Sequence, residues 1–235
     1  MNLILLFQGD FLSSNHVCLT GRRLEHVNNV HRAKVGDILR VGLLNSNLGQ
    51  GCITALDEQN LEMDVLLDQA PPPKLPLTIV IALPRPKALN RVIAAATSMG
   101  VARIILLNAW RVEKSYWKSP RLDEYNLLRQ MILGLEQSVD TVLPELRQAR
   151  FFAPFVHDEL PGLASQTLCL AAHPQASAPC PMGLSEPCTL VLGPEGGFIS
   201  NEMLALEQIG FQPVNLGPRI LRTETALAAL IGRLY

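Results

Sequence analysis

The sequence predicts an α/β domain preceded by a small β-barrel. Three observations carry this: short turn-separated apolar segments before residue 70, a proline cluster after it, and continuous apolar runs alternating with helical patterns from there to the C-terminus. The division is 1–70 for the barrel, 71–76 for a linker and 77–235 for the α/β domain. In the first part, Asp37 to Gly42, Gly51 to Leu56 and Leu61 to Leu66 read as strands, parted by turns such as Asn45-Ser46-Asn47-Leu48-Gly49. Ala70-Pro71-Pro72-Pro73-Lys74-Leu75-Pro76 cannot enter a helix or a central strand and suits a stiff connection. Beyond it, Leu77 to Leu83, Ile104 to Leu107, Thr167 to Ala171 and Leu190 to Leu192 read as strands covered on both faces. Helices are predicted over Leu89 to Met99, Arg121 to Ser138, Glu202 to Ile209 and from Ala226 onward.

Composition narrows the class. The 235 residues are 48% hydrophobic and 17% charged, which suits a globular protein with a substantial core. The apolar start, Met1 to Phe7, lacks a basic leader and is too short for a signal peptide or a membrane span. Five cysteines, Cys18, Cys52, Cys169, Cys180 and Cys188, show no Cys-x-x-Cys pair, so a reduced cytoplasmic setting is expected and no metal site. Net charge is only -1, but it is segregated. Lys74 to Arg121 holds nine basic residues against the single acid Glu113, and Arg22, Arg23, Arg32, Lys34 and Arg40 stand against Glu25 and Asp37. A positive strip of this kind is what a phosphate backbone requires, and it is also compatible with ordinary solvated surface.

The chemistry is concentrated near the C-terminus. Gly193-Pro194-Glu195-Gly196-Gly197 follows the apolar run ending at Leu192, and Leu216-Gly217-Pro218-Arg219-Ile220-Leu221-Arg222-Thr223-Glu224-Thr225-Ala226 follows Pro213-Val214-Asn215. Both are strand-to-loop transitions, where open α/β sheets hold ligands. The pair of motifs resembles the end of the SPOUT class of RNA methyltransferases, and within it the ribosomal RNA small subunit methyltransferase E family, which methylates N3 of a uridine in 16S ribosomal RNA. The segment His26-Val27-Asn28-Asn29-Val30-His31-Arg32-Ala33-Lys34-Val35-Gly36-Asp37 is similar, more loosely, to that family's PUA-like barrel, with His31 in place of a leucine.

The resemblance implies a trefoil-knotted α/β domain, S-adenosylmethionine as cofactor, ribosomal RNA as partner and a homodimer. It places the cofactor against Ala172, His173, Leu192, Gly193, Pro194, Glu195, Gly196, Leu216, Gly217, Ile220, Leu221, Arg222, Thr223 and Ala226. RNA is expected at Arg22, Arg32, Lys34, Arg85, Lys87 and Arg111. Catalysis needs a cation to stabilise the uridine anion and a group to take its proton. Arg222 is the candidate for the first and Glu224 for the second, with a structural acid at the start of the last helix as the other reading of Glu224. Glu195 suits either a ribose hydroxyl or a helix cap, and Arg32 either RNA or a turn closed with Asp37. Departures fall at Ser98, Met99 and Asp140, which replace a glutamate, a leucine and an arginine; an acid at 140 is expected to repel RNA. They leave open a diverged RNA-binding protein or a methyltransferase for another RNA. A dinucleotide enzyme is disfavoured, since no Gly-x-Gly-x-x-Gly follows the first strand of the α/β domain.

Overall fold

The computed structural model describes residues 2–235 and resolves into two compact units, residues 1–73 with 132–143, and residues 74–131 with 144–235. The first unit is built on five strands, β1 (Ile4–Leu6), β2 (His16–Leu19), β3 (Ile38–Leu43), β4 (Leu48–Leu56) and β5 (Leu61–Gln69), with a short helix α1 (Arg22–His26) continued by a π-helical turn over Val27–His31. The strand order β1-β3-β4-β5-β2 leaves β1 and β2 as edges. The predicted barrel is therefore a curled half-barrel. Three and four residues are too few for these edge strands to reach round and pair, and Leu24 and Val27 of the helical segment instead cover the same core as Ile4, Leu6, Val17 and Met63.

β1 is buried on both faces. Ile4 and Leu6 point into the half-barrel core, while Leu3 and Leu5 pack with Leu48 and Leu135 and with Ile132, Val139 and Leu143 around them. This second cluster is why 132–143, assigned from sequence to the α/β domain, belongs to the first unit. It also explains Asp140. The residue is 3% exposed and its Oδ1 accepts the Val142 N–H at 2.9 Å, so the acid is withdrawn from the surface.

Where β2 pairs antiparallel with β5, His16 lies opposite Asp64, and its Nδ1 is 2.8 Å from Asp64 Oδ1 and its Nε2 3.2 Å from Glu62 Oε2. Hydrogen bonds to Asp64 first, then to Glu62, raise its pKa above the ordinary 6.5. The folded chain thus favours the imidazolium. Its contribution to stability is complete below the unfolded value and fades as pH rises through the higher folded one. A His16→Asn variant is expected to flatten this part of the pH profile, and thermal unfolding midpoints across pH 6 to 8 measure it.

The second unit is a seven-stranded, all-parallel sheet: β6 (Leu75–Ala82), β7 (Val101–Leu107), β8 (Glu145–Ala149), β9 (Leu168–Ala172), β10 (Ala178–Pro179), β11 (Cys188–Leu192) and β12 (Gln212–Asn215), in the order β10-β12-β9-β11-β6-β7-β8. β6 starts two residues inside the segment predicted as linker. β11 is central and wholly buried, pairing with β6 and β9, whereas β8 is a polar edge strand with no apolar run to announce it.

The helices are α2 (Pro86–Ser98), α3 (Glu124–Ser138), the short α4 (Phe152–Pro154) and α5 (Leu160–Leu163), α6 (Ser200–Gln208) and α7 (Thr223–Leu234). Proline at the first position of α2 is pre-set for a helix and its missing N–H costs nothing there. Ala88, Leu89, Val92, Ile93 and Ala96 form the buried stripe of α2, which packs on α7. No helix among the described residues is long and apolar enough to cross a membrane.

Candidate active site

β12, β9 and β11 are neighbours and run the same way, so their carboxyl ends bring three loops together. Between these loops and the first turns of α7 lies a crevice enclosing about 750 Å³ of empty space, its open mouth included. Ala172, His173 and Pro174 line it from the end of β9. Leu192, Gly193, Pro194, Glu195, Gly197 and Phe198 line it from β11, and Val214 to Gly217 with Arg219, Ile220 and Leu221 from β12. Thr223, Ala226 and Leu230 of α7 close it. This is the place at which parallel sheets take small organic ligands.

Short local bonds set the loops. Asn215 holds two of them at once, its Nδ2 donating to the carbonyls of Ala176 at 2.7 Å and Ala178 at 3.1 Å while its Oδ1 accepts the Gly217 N–H at 2.8 Å. Gly217 can follow because φ is +101°, a conformation that a side chain disfavours. On the β11 side the Gly197 N–H closes a turn on the Pro194 carbonyl at 2.8 Å. A Cβ on Gly193 would stand 3.1 Å from the Phe198 backbone nitrogen, so glycine lets that turn fold back on itself. His173 Nδ1 accepts the Gln175 N–H at 3.3 Å, which ties the ring to its own loop.

Carboxylates anchor the rest. Glu195 Oε1 accepts the Arg85 N–H at 3.1 Å, and Glu202, buried in α6, accepts the N–H of Ile199 at 3.0 Å and of Trp110 at 2.7 Å. Glu202 therefore performs the helix-capping role that the sequence left open for Glu195. Arg111 donates through its guanidinium to the Gly196 carbonyl.

Of the residues predicted to hold the cofactor, Gly196 and Arg222 do not line the crevice. Gly196 faces Arg111 and an adjoining concavity, because a Cβ there would meet Arg111 Cδ at 3.0 Å. Arg222 is the N-cap of α7, exposed, with its carbonyl accepting the Ala226 N–H at 2.8 Å. The cation in the lining is Arg219. Glu224 is held 2.8 Å from Arg91, and its own backbone N–H, then Arg91, keep its pKa below the usual carboxylate value despite partial burial. The ion pair fits the other reading of Glu224, a structural acid at the start of the last helix.

Among the predicted RNA contacts, Arg32, Lys34, Arg85, Lys87 and Arg111 are exposed. Asp37 Oδ2 accepts the Lys34 backbone N–H at 2.8 Å. Arg22 instead makes a two-pronged bond to Glu136, at 2.8 and 2.7 Å. Phe198, Val214, Asn215, Arg219 and Leu230 are lining residues the reading missed. Only Asn215 carried a local signal, an Asx residue at a strand end before Leu-Gly.

Residues 71–235 match the family model for the RNA methyltransferase domain. The chain belongs to this RNA methyltransferase family. The ribosomal RNA small subunit methyltransferase E of Treponema pallidum is 26% identical to this methyltransferase-family chain over 97% of its length and 88% of the relative's. The like-named protein of Buchnera aphidicola is 57% identical over 42 residues, 18% of this chain and 17% of the relative. A methyltransferase of Legionella pneumophila, solved with S-adenosylmethionine bound, superposes with a TM-score of 0.73 at 25% identity, covering 98% of this chain and 96% of the other. The fold is also that of the Neisseria gonorrhoeae ribosomal RNA small subunit methyltransferase E, with a TM-score of 0.74 at 23% identity over 97% and 95% of the two chains. The family resemblance read from the two glycine loops is thereby established, with its parallel α/β sheet and curled N-terminal sheet.

Proposed function

We propose that this chain binds S-adenosylmethionine in the crevice and transfers its methyl group to N3 of a uridine in small-subunit ribosomal RNA. The observation that carries the reading is the convergence of both glycine motifs, with the β9 loop, on one crevice at the carboxyl ends of adjacent strands. The residues suit the ligand: apolar Leu192, Leu216 and Leu230 offer faces for an adenine, and Gly193, Gly197 and Gly217 leave backbone groups open to close approach. Glu195 lines the same space and can accept a ribose hydroxyl. When bound, the donor supplies an electrophilic methyl on a sulfonium.

Held by Gly193, Gly217 and the apolar lining, it would supply that methyl to the uridine nitrogen, whose proton would pass to solvent. The chain's contribution is position and charge. Arg219 is the cation placed to stabilise the uridine carbonyl as negative charge grows on it, while Arg222 stands outside the crevice. Arg91 and Glu224 fix the start of α7. Arg32, Lys34, Arg85, Lys87 and Arg111 supply contacts to phosphate.

A cytoplasmic homodimer with the trefoil threading of the class belongs to the same reading. Exposed Leu204 and Ile220 beside the second concavity favour a subunit contact, which sedimentation measures. Of the departures at Ser98, Met99 and Asp140 that suggested another RNA, two are accommodated locally, Ser98 Oγ donating to the Ala95 carbonyl at 3.0 Å and Asp140 being buried, which favours the small-subunit reading. The test is transfer of labelled methyl from S-adenosylmethionine to unmethylated small subunits and to naked RNA, followed by nucleoside mapping. 3-Methyluridine is expected. Arg219→Ala should lower kcat by about 100-fold and Glu224→Gln by less than 10-fold. Label on any other position of the base or ribose would refute the assignment.

A further inference from the structure

The carboxyl edge of the sheet continues past the crevice, over the ends of β7 and β8, and what stands there is unusual for this chain. Trp110 is 79% exposed and Phe151 72%, although the chain buries most of its large apolar side chains. The two follow neighbouring strands in matched positions: Leu107 pairs with Ala149, the Asn108 N–H donates to the Ala149 carbonyl at 2.9 Å, and each aromatic lies two or three residues beyond.

Both are anchored through the backbone. The Trp110 backbone N–H is fixed by Glu202, the buried carboxylate that also starts α6, the Phe151 carbonyl accepts the Phe155 N–H at 3.3 Å, and the ring of the next residue, Phe152, lies 6.0 Å from that of Phe198 in the crevice wall. Cations interleave with them. Arg111 bonds the Gly196 carbonyl, Arg150 lies 5.5 Å over the Trp117 ring, and Lys114 and Lys118 are exposed in the same loop. Solvent-facing rings among cationic side chains are what unpaired bases stack on.

We propose that this edge is a track for single-stranded RNA leading to the crevice, with Trp110 and Phe151 as stacking platforms for bases flanking the target. The inference rests on the RNA-methylating reading and adds to it the form of the substrate. A splayed strand is selected over a helix, because a base inside a duplex offers no open face to either ring.

The test uses the full chain and a uridine-rich single-stranded RNA oligonucleotide, with a duplex of equal length beside it. The wild type should prefer the single strand and show quenched indole emission on binding. Trp110→Ala should weaken single-strand affinity about 10-fold with an unaltered salt slope, and adding Phe151→Ala should weaken it further. Trp110→Phe should retain most affinity and lose most of the quenching, Trp117 being the only other tryptophan. Titration with S-adenosylmethionine should be the same for all of them, since neither ring lines the crevice. Unchanged RNA affinity in the double variant overturns the track. So does a loss of affinity that accompanies dissociation of a dimer, which would make the rings a subunit contact. A wild-type chain that binds the methyl donor but no RNA would refute the RNA substrate itself.

Discussion

Replacing Gly217 by alanine is expected to weaken S-adenosylmethionine binding by about 10- to 100-fold while the chain stays folded. The backbone there has φ of +101°, and an L side chain at such an angle costs on the order of 1–2 kcal/mol. In the unliganded fold the loop can relieve that strain by rotating, because an added Cβ meets no protein atom within 4 Å. Rotation, however, breaks the Gly217 N–H bond to Asn215 Oδ1, and Asn215 is the residue that also holds Ala176 and Ala178. Two walls of the crevice then move together. Gly210 is the control: its φ is +94°, its added Cβ also meets nothing, and it lies outside the crevice. Gly210→Ala should cost similar stability and leave donor binding unchanged. Calorimetric titration separates the two, and equal donor affinity in both variants would show that the loop does not shape a cofactor site.

Much of this crevice was legible because glycine and proline motifs state local backbone geometry directly. Local sterics favour glycine at 193, 197 and 217, two through positive φ and one through the close Phe198 backbone, and the apolar run of β11 is buried on both faces. Long-range partners were not legible. Nothing near Glu202 in sequence announces that it will hold Trp110, 92 positions away, and the same applies to Glu224 with Arg91. Those pairings show that Glu202 caps α6 and that Glu224 is ion-paired, which spacing alone left open. Short or polar strands, β1, β2 and β8, escaped the reading because their burial comes from neighbours distant in the chain.

The largest loss of stability is expected from separating Arg22 and Glu136. Glu136 is 2% exposed, and its two oxygens accept from the Arg22 guanidinium at 2.7 and 2.8 Å, 114 positions apart in the chain. Both residues lie in the first unit. The pair joins α1 to the end of α3, where the Asn2 and Leu3 N–H groups also donate to the Glu136 carbonyl at 3.0 Å. Arg22→Ala strands a carboxylate among Leu3, Leu5 and Leu135, and removing one partner of a buried pair typically costs 3–5 kcal/mol. The Arg22 side chain is 45% exposed, so water can reach the stranded oxygens and the expected loss falls to about 2–3 kcal/mol. Arg22→Lys should recover only part of it, since an ammonium cannot match both oxygens. Arg22→Leu combined with Glu136→Leu should lie within about 1 kcal/mol of the wild type, because no charge is then left buried. Urea unfolding with unchanged m-values reads all four chains. The same series tests the assignment of Arg22 to RNA: if the paired arginine is structural, the double variant keeps its RNA affinity, whereas a fall in affinity with stability restored would return Arg22 to the RNA surface.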